Sequence, residues 1–285
     1  MNFDIISPKT KNELLDVISK NKDKNYCFGA GYTDLINQLK GKKTKGLLVI
    51  NIAQLEDNDF KGIKRKGDYV EIGALTTASD LIASKIIEEQ YPVLFQATNS
   101  VASTQIRNSA TIGGNVCNAS PSADMSAALV ALKAVCCILS SDGNEREEDI
   151  ESFIQGVRKT SLKKDEILRA IKIPNNISKL IYSGFEKVGT RKSMEISIVS
   201  FSYHFQMDDN KIINQAGISI GAVSTNIPFA SEACDFIKGK KLDQFNDKQK
   251  FADLVLSYSN PISDIRATKW YRKEVLSNIS KSIFK

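Results

Sequence analysis

The sequence predicts an α+β protein built in two parts, and three features of its 285 residues carry that expectation. A chain of this length exceeds the ~100–200 residues of a common domain, so two domains, or one with sub-lobes, is the reasonable organisation. Up to Pro174, short apolar runs alternate with short helical patterns and glycine-bearing turns. Beyond it the texture changes: residues 182–188, 196–207 and 212–223 read as three antiparallel strands, the last two joined at Asp208-Asp-Asn210. Helical patterns follow at 228–238, 247–257 and 264–283, the last with Trp270, Val275 and Leu276 inward. The change places a boundary near 175–180, giving parts at 1–176 and 177–285.

In chain order, residues 10–21 carry Leu14, Leu15, Val17 and Ile18 at helical spacing, with Thr10 or Asn12 able to cap. Tyr26-Cys-Phe28 is an apolar strand that runs into Gly29-Ala-Gly-Tyr-Thr-Asp-Leu-Ile36, a small-residue turn opening a short helical segment near Lys40. Residues 47–50 and 70–72 are strand-like, and 79–89 reads as one helix with Leu81, Ile82, Ile86 and Ile87 inward. A second helix is expected from Pro92 to about Ala102, and a small-residue helix at 124–134. Residues 135–139 form a strand, 140–145 a turn and 150–154 a short helix; Glu166–Pro174 alternates and stops at proline.

Composition excludes several functions. A hydrophobic content of 42% with 25% charged residues is that of a soluble globular chain, and the net charge of +6 is modest. The basic clusters at Lys40–Lys45 and at Lys61, Lys64, Arg65 and Lys66 are not interleaved with aromatics, so they read as solvated strand ends, not a nucleic-acid groove. No apolar run reaches ~18–20 residues and Met-Asn-Phe-Asp does not resemble a signal peptide, so a cytoplasmic protein without a membrane segment is expected. The five cysteines, Cys27, Cys117, Cys136, Cys137 and Cys234, include no Cys-x-x-Cys pair. They point to buried thiols instead of a disulfide framework, zinc site or iron–sulfur cluster. The single histidine, His204, lies in a strand pattern and reads as structural, which leaves Ser–His–Asp chemistry without a base.

The stretch from Asn108 to Asp124 holds the chemistry: Gly113 and Gly114 side by side, hydroxyls and amides on Thr111, Asn115, Ser120 and Ser122, and one carboxylate, Asp124. Glycines able to adopt positive φ, with neutral hydrogen-bonding groups around them, suit a backbone lying against a diphosphate. Asp124 would be repelled by phosphate and suits the hydroxyls of a sugar or polyol on the same ligand. Taken alone, the stretch also reads as a glycine turn followed by a Ser-Pro loop. The turn at 29–36 is a second loop of this kind; it lacks the third glycine and the later acidic residue of the dinucleotide fingerprint.

Four segments in order resemble the flavoprotein subunit of the molybdenum hydroxylases, the xanthine dehydrogenase family, over almost the whole chain. They are Ala30-Gly-Tyr-Thr-Asp-Leu35, Gln105-Ile-Arg-Asn108, Thr111-Ile-Gly-Gly-Asn115 with Ala119-Ser-Pro-Ser-Ala-Asp124, and Asp264-Ile-Arg-Ala-Thr-Lys-Trp-Tyr-Arg272. The resemblance implies an FAD-binding domain of the vanillyl-alcohol-oxidase (PCMH) type, with sub-lobes of about 1–53 and 54–176, and a CO-dehydrogenase-flavoprotein-type C-terminal domain of three strands plus helices. It implies that the peptide groups of Ala30, Gly31, Tyr32, Thr33, Asp34 and Leu35 grip the diphosphate from one side. Ile106, Ala110, Thr111, Gly113, Gly114 and Asn115 would meet FAD from the other, and Asn118 and Asp124 would face its ribityl or adenosine part. Leu168 and Lys187 would lie by the isoalloxazine ring, Lys187 having the one catalytic role, stabilising anionic reduced flavin. Tyr32 departs from the family pattern, standing where many relatives have glycine; that matters only if the position needs positive φ.

The implied function is that of an FAD-carrying oxidoreductase subunit. It takes electrons from 2Fe-2S clusters on a small subunit, in a complex whose molybdopterin large subunit hydroxylates substrate, most commonly a purine. The electrons would pass to NAD⁺, in a dimer of heterotrimers. The chain itself carries no metal-ligand spacing. The alternatives are a stand-alone flavin oxidoreductase of the same fold superfamily and a flavin-free assembly subunit.

Overall fold

The computed structural model describes residues 2–176, 180–191 and 194–284, so the expected boundary at 176/177 falls beside positions outside the described residues. The chain begins with a parallel sheet of order β1-β3-β2: β1 (Asp4–Ile6), β2 (Tyr26–Gly29) and β3 (Leu48–Asn51). Parallel neighbours need crossovers, supplied by α1 (Lys11–Asn21) and α2 (Leu35–Leu39). Thr10 caps α1, its hydroxyl accepting from the Glu13 N–H at 3.2 Å. Leu14 and Ile18 of α1 pack on Leu48 and Ile50, but this core is completed by Leu55, Phe60, Leu75, Leu139 and Ile167 from later in the chain.

A second, antiparallel sheet has the order β4-β5-β10-β6-β7. Its strands are β4 (Ile63–Lys66), β5 (Tyr69–Gly73), β6 (Val135–Ser140), β7 (Glu145–Asp149) and β10 (Glu166–Pro174), with a two-stranded ribbon of β8 (Ile154–Gly156) and β9 (Lys159–Thr160). The edge strands β4 and β7 are not among the expected strands because Ile63-Lys-Arg-Lys66 and Glu145-Arg-Glu-Glu-Asp149 show no apolar alternation. Lys66 of β4 pairs with Glu71 of its neighbour β5 at 2.7 Å, and Arg146 of β7 reaches across β6 to Glu166 of β10 at 2.8 Å; charged edges also resist unwanted pairing. Within β10 the register shifts between Leu168 and Ala170, leaving Arg169 as the extra residue of a bulge. Ahead of the bulge the strand alternates normally, so Ile167 joins the core under the first sheet and Leu168 the core of the second; past it, Ile171 and Ile173 keep to the second core.

The second sheet's core is covered by α3 (Ala78–Ala83), α4 (Lys85–Gln90), α5 (Pro92–Asn99), α6 (Thr104–Arg107), α7 (Ile112–Cys117), α8 (Asp124–Ala131) and α9 (Ile150–Phe153). The single helix expected at 79–89 is two, because Ser84 is extended (ψ 115°) and its hydroxyl accepts from the Ile87 N–H to cap the second.

The remaining sheet, β11 (Leu180–Val188), β12 (Val199–Met207) and β13 (Ile213–Gly221), is antiparallel, and β12 is buried along its whole length. It packs on α8 through Gly217, where a Cβ would lie 1.9 Å from the Ala131 carbonyl oxygen, and through the Ser219 hydroxyl, which donates to the Ala127 carbonyl at 2.6 Å. All eight residues of α8 are buried, as its small side chains allow. His204 on β12 contacts Ser183 Oγ at 3.0 Å through Nδ1 and Asn176 Oδ1 at 2.8 Å through Nε2. Burial pushes its imidazole down to about 4, so it is neutral and structural.

Helices α10 (Ser231–Ile237), α11 (Lys248–Ser257) and α12 (Lys269–Ser282) complete this part. The last helix starts five residues later than expected: Asp264 holds a turn, accepting from the N–H groups of Arg266 and Ala267 and from Arg272 at 2.8 Å. Its inward face is Arg272, Leu276 and Ser280, at i, i+4 and i+8. Trp270, two positions off that face, is 69% exposed instead of inward. Arg272 is buried and donates to the carbonyls of Ile198 and Ala222.

Candidate functional site

A cavity of about 400 Å³ opens at the seam between the first sheet and the second. Its first wall is the loop leaving β2. Gly31 is needed there for closeness, since a Cβ would lie 1.9 Å from the Ser109 carbonyl oxygen across the cavity's edge. The next residue, Tyr32, holds φ of 58°, so this position does take the left-handed conformation and a tyrosine occupies it. Its ring folds over Gly29, where a Cβ would collide with it.

Among the described residues, no acceptor takes a hydrogen bond from the backbone N–H of Ala30, Gly31, Tyr32, Thr33, Asp34 or Leu35. The ladder of β2 ends at Gly29 and the first turn of α2 leaves its leading amides without intrahelical partners. All six residues line the cavity. Asp34 stands at the N-cap of α2 without capping it. Its carboxylate meets Arg158 instead, at 2.6 Å.

The second wall departs from expectation. Gly113 and Gly114 have no positive φ; they lie inside α7. Its leading amides are already satisfied: Ile112 donates to the Thr76 carbonyl, Gly113 to the Ala74 carbonyl at 2.9 Å, and Gly114 to the Thr111 hydroxyl at 3.0 Å. Gly113 is required by packing, because a Cβ would lie 2.6 Å from Ala74 Cβ. Thr111, Gly113, Gly114, Asn115 and Asn118 line the cavity with Ile106 and Ala110. Asn115 turns its carbonyl to Ser126, accepting from both N–H and O–H, and Asn118 accepts from Gln38 at 3.1 Å and from Arg158.

The far wall is apolar: Leu75, Val101, Leu162, Ile167 and Leu168. Adjacent Ile167 and Leu168 both border the cavity, at the end of β10 where the two cores meet. Two thiols, Cys27 and Cys117, are half-buried in the lining, while Cys136, Cys137 and Cys234 are buried. Burial pushes the Cys117 thiol up to about 12 and raises that of Cys27, which favours the neutral thiol in both.

Two expected site residues are not in the lining of this cavity. Asp124 opens α8 in its buried first turn and accepts from Lys187 Nζ at 2.6 Å, Ser197 Oγ at 2.7 Å and Ser100 Oγ at 3.2 Å. Burial pushes the Asp124 carboxyl upward, while the Lys187 ammonium and the two hydroxyls pull the other way. Its oxygens are thus taken by protein groups, and it does not border the cavity. Lys187 also donates to the Ser100 carbonyl and lines a neighbouring polar recess with Arg107 and Glu195. Its ammonium is paired with Asp124, so it faces that recess and not the 400 Å³ cavity. Arg158, in contrast, was not expected at the site: it lies 124 residues from its partner Asp34, and no local pattern marks it.

A row of open amides beside an apolar wall suits a ligand with an anionic linker and a flat apolar ring, as FAD has. Comparison with known proteins agrees. Residues 1–176 match the family model described as the FAD binding domain in molybdopterin dehydrogenase, and 185–285 match the CO dehydrogenase flavoprotein C-terminal domain. The chain is 30% identical to the glyceraldehyde dehydrogenase medium chain of Sulfolobus acidocaldarius, over 90% of this chain and 88% of that one. It is 29% identical to the xanthine dehydrogenase FAD-binding subunit of Escherichia coli O157:H7, over 99% and 95%. Among solved structures, the reconstituted CO dehydrogenase from Oligotropha carboxidovorans superposes with a TM-score of 0.90 at 26% identity, over 99% of this chain and 96% of that one. With both parts matched in order, the chain belongs to the family of FAD-binding subunits of the molybdenum hydroxylases.

Proposed function

We propose that this chain holds FAD in the cavity between the loop at 30–35 and the segment at 106–118, as the electron-transfer subunit of a xanthine- or purine-oxidising dehydrogenase. The observation that carries the placement is the run of six consecutive open amides on one wall, from Ala30 to Leu35. These N–H groups would hold the diphosphate. Thr111 and Asn118 would meet the cofactor from the facing wall, and Leu168 and Ile167 would exclude water from its ring. FAD supplies the redox chemistry; the protein supplies grip, orientation and a low-dielectric wall.

Partner subunits would complete the path, a small one bearing 2Fe-2S clusters and a large one bearing molybdopterin, with NAD⁺ as the final acceptor and a dimer of heterotrimers as the assembly. The purine substrate follows the xanthine dehydrogenase FAD-binding subunit, 29% identical over 99% of this chain; the nicotinate dehydrogenase FAD-subunit is covered equally, so the turnover test decides between them. The test has two stages. The full chain, reconstituted with FAD, should bind one equivalent with a flavin absorption band; a colourless product after saturation ends the reading. The complex co-purified from cells should reduce NAD⁺ with hypoxanthine or xanthine, and turnover only with glyceraldehyde, nicotinate or carbon monoxide would reassign the substrate.

A further inference from the structure

We propose that Arg158 is a positioning residue for the cofactor: it fastens the two walls of the cavity together and cancels the charge of Asp34 beside the open amides. The inference rests on the reading above, in which the diphosphate lies along residues 30–35.

Arg158 sits in the turn between β8 and β9 with φ of 59°, and its own N–H donates to the Ala119 carbonyl at 3.0 Å, seating the turn against the end of the second wall. Its guanidinium forks onto Asp34, Nη1 to Oδ2 at 2.6 Å and Nη2 to Oδ1 at 3.4 Å, and Nη1 also donates to Asn118 Oδ1. Gln38 closes the cluster, donating to Asn118 Oδ1 at 3.1 Å and to Asp34 Oδ2. Positions 34, 118 and 158 thus meet on one planar cation, a task for a forked donor, which a lysine cannot match.

The placement of Asp34 gives this cluster its purpose. Asp34 belongs to the row of unpartnered amides, so its carboxylate stands next to any anion those amides hold. Unpaired, it would repel that anion; paired, it adds no net charge to the rim. Both side chains are over 40% exposed, so the pair contributes little to fold stability and its effect belongs to anion binding.

The test measures FAD affinity of the full-length chain by flavin fluorescence quenching, with riboflavin, which lacks phosphate, as the second ligand. Arg158→Ala should weaken FAD about tenfold and leave riboflavin within about twofold, with the gap narrowing as salt is raised. Asp34→Asn in the Arg158→Ala background should recover most of the loss, and Arg158→Lys, which keeps charge without the fork, only part. Unchanged FAD binding by Arg158→Ala, equal losses for both ligands, or no recovery in the double variant would each overturn the proposal. Failure of the unsubstituted chain to bind FAD would instead overturn the reading of the cavity. If Arg158→Ala does not fold, the comparison of Arg158→Lys with Arg158→Lys/Asp34→Asn carries the same decision.

Discussion

The loop at 30–35 and the segment at 110–118 face the same cavity and look alike in sequence, small residues around glycine with a neighbouring threonine, but their backbones are in opposite states. In the first, six amides have no acceptor among the described residues. In the second, the N–H groups of Ile112, Gly113, Gly114 and Asn115 are all used, three on carbonyls and one on the Thr111 hydroxyl. The glycines differ likewise. Gly31 and Gly113 exist for close approach, and the one left-handed position of the first loop belongs to Tyr32. Similar composition therefore marks one wall that offers donors and one that is internally complete and lends side chains.

Four experiments press on that contrast. The largest effect is expected from Gly31→Ala, whose methyl group would meet the Ser109 backbone: a loss of about 3 kcal/mol or more in urea denaturation. Gly113→Ala, against Ala74, should cost about 2 kcal/mol, and Gly114→Ala, which meets only the Thr111 hydroxyl, less than about 1. Equal costs at Gly31 and Gly114 would break the distinction. Next, Thr111→Val should lose about 1 kcal/mol with its cap, whereas Thr33→Val should stay within about 0.5. Smaller again is the test of the left-handed site: Tyr32→Ala should be less stable than Tyr32→Gly by about 1 kcal/mol, the reverse of the order in ordinary backbone. Last, with no change in global stability required, hydrogen exchange on adding FAD should slow the amides of residues 31–35 and leave 113–115 as they were. Protection arising in the second segment alone would invert the comparison.

Much of the fold could be read from periodicity. The three long strands after Pro174 and the helix at Lys11–Asn21 have clean apolar patterns and stand where the sequence places them. What escaped were elements whose form is set by neighbours. The charged edges β4 and β7 are held by backbone ladders to β5 and β6 and by ion pairs to Glu71 and Glu166, and Ser84 divides a continuous apolar pattern by capping. Trp270 looked like an anchor because tryptophan is apolar, but the turn held by Asp264 sets the phase of the helix and gives the inward place to Arg272. At the site, residues 30–35 border the cavity together with Ala110, Thr111, Gly113, Gly114, Asn115 and Asn118, while Ser120, Ser122 and Asp124 of the second stretch do not. The pairings Asp124–Lys187 and Asp34–Arg158 were not legible in the sequence, because the partners are 63 and 124 positions apart.

The face alternation of β10 sets how firmly the two sub-lobes are joined. By turning Ile167 toward one core and Leu168 toward the other, it makes a single strand common to both sides of the seam. Leu139 and Ile138 on β6 divide their loyalties in the same way. A seam stitched by shared strands is a poor hinge, since swinging the sub-lobes apart would expose apolar side chains on both flanks at once. The two sub-lobes are thus held as one body by β6 and β10, whose side chains belong to both cores.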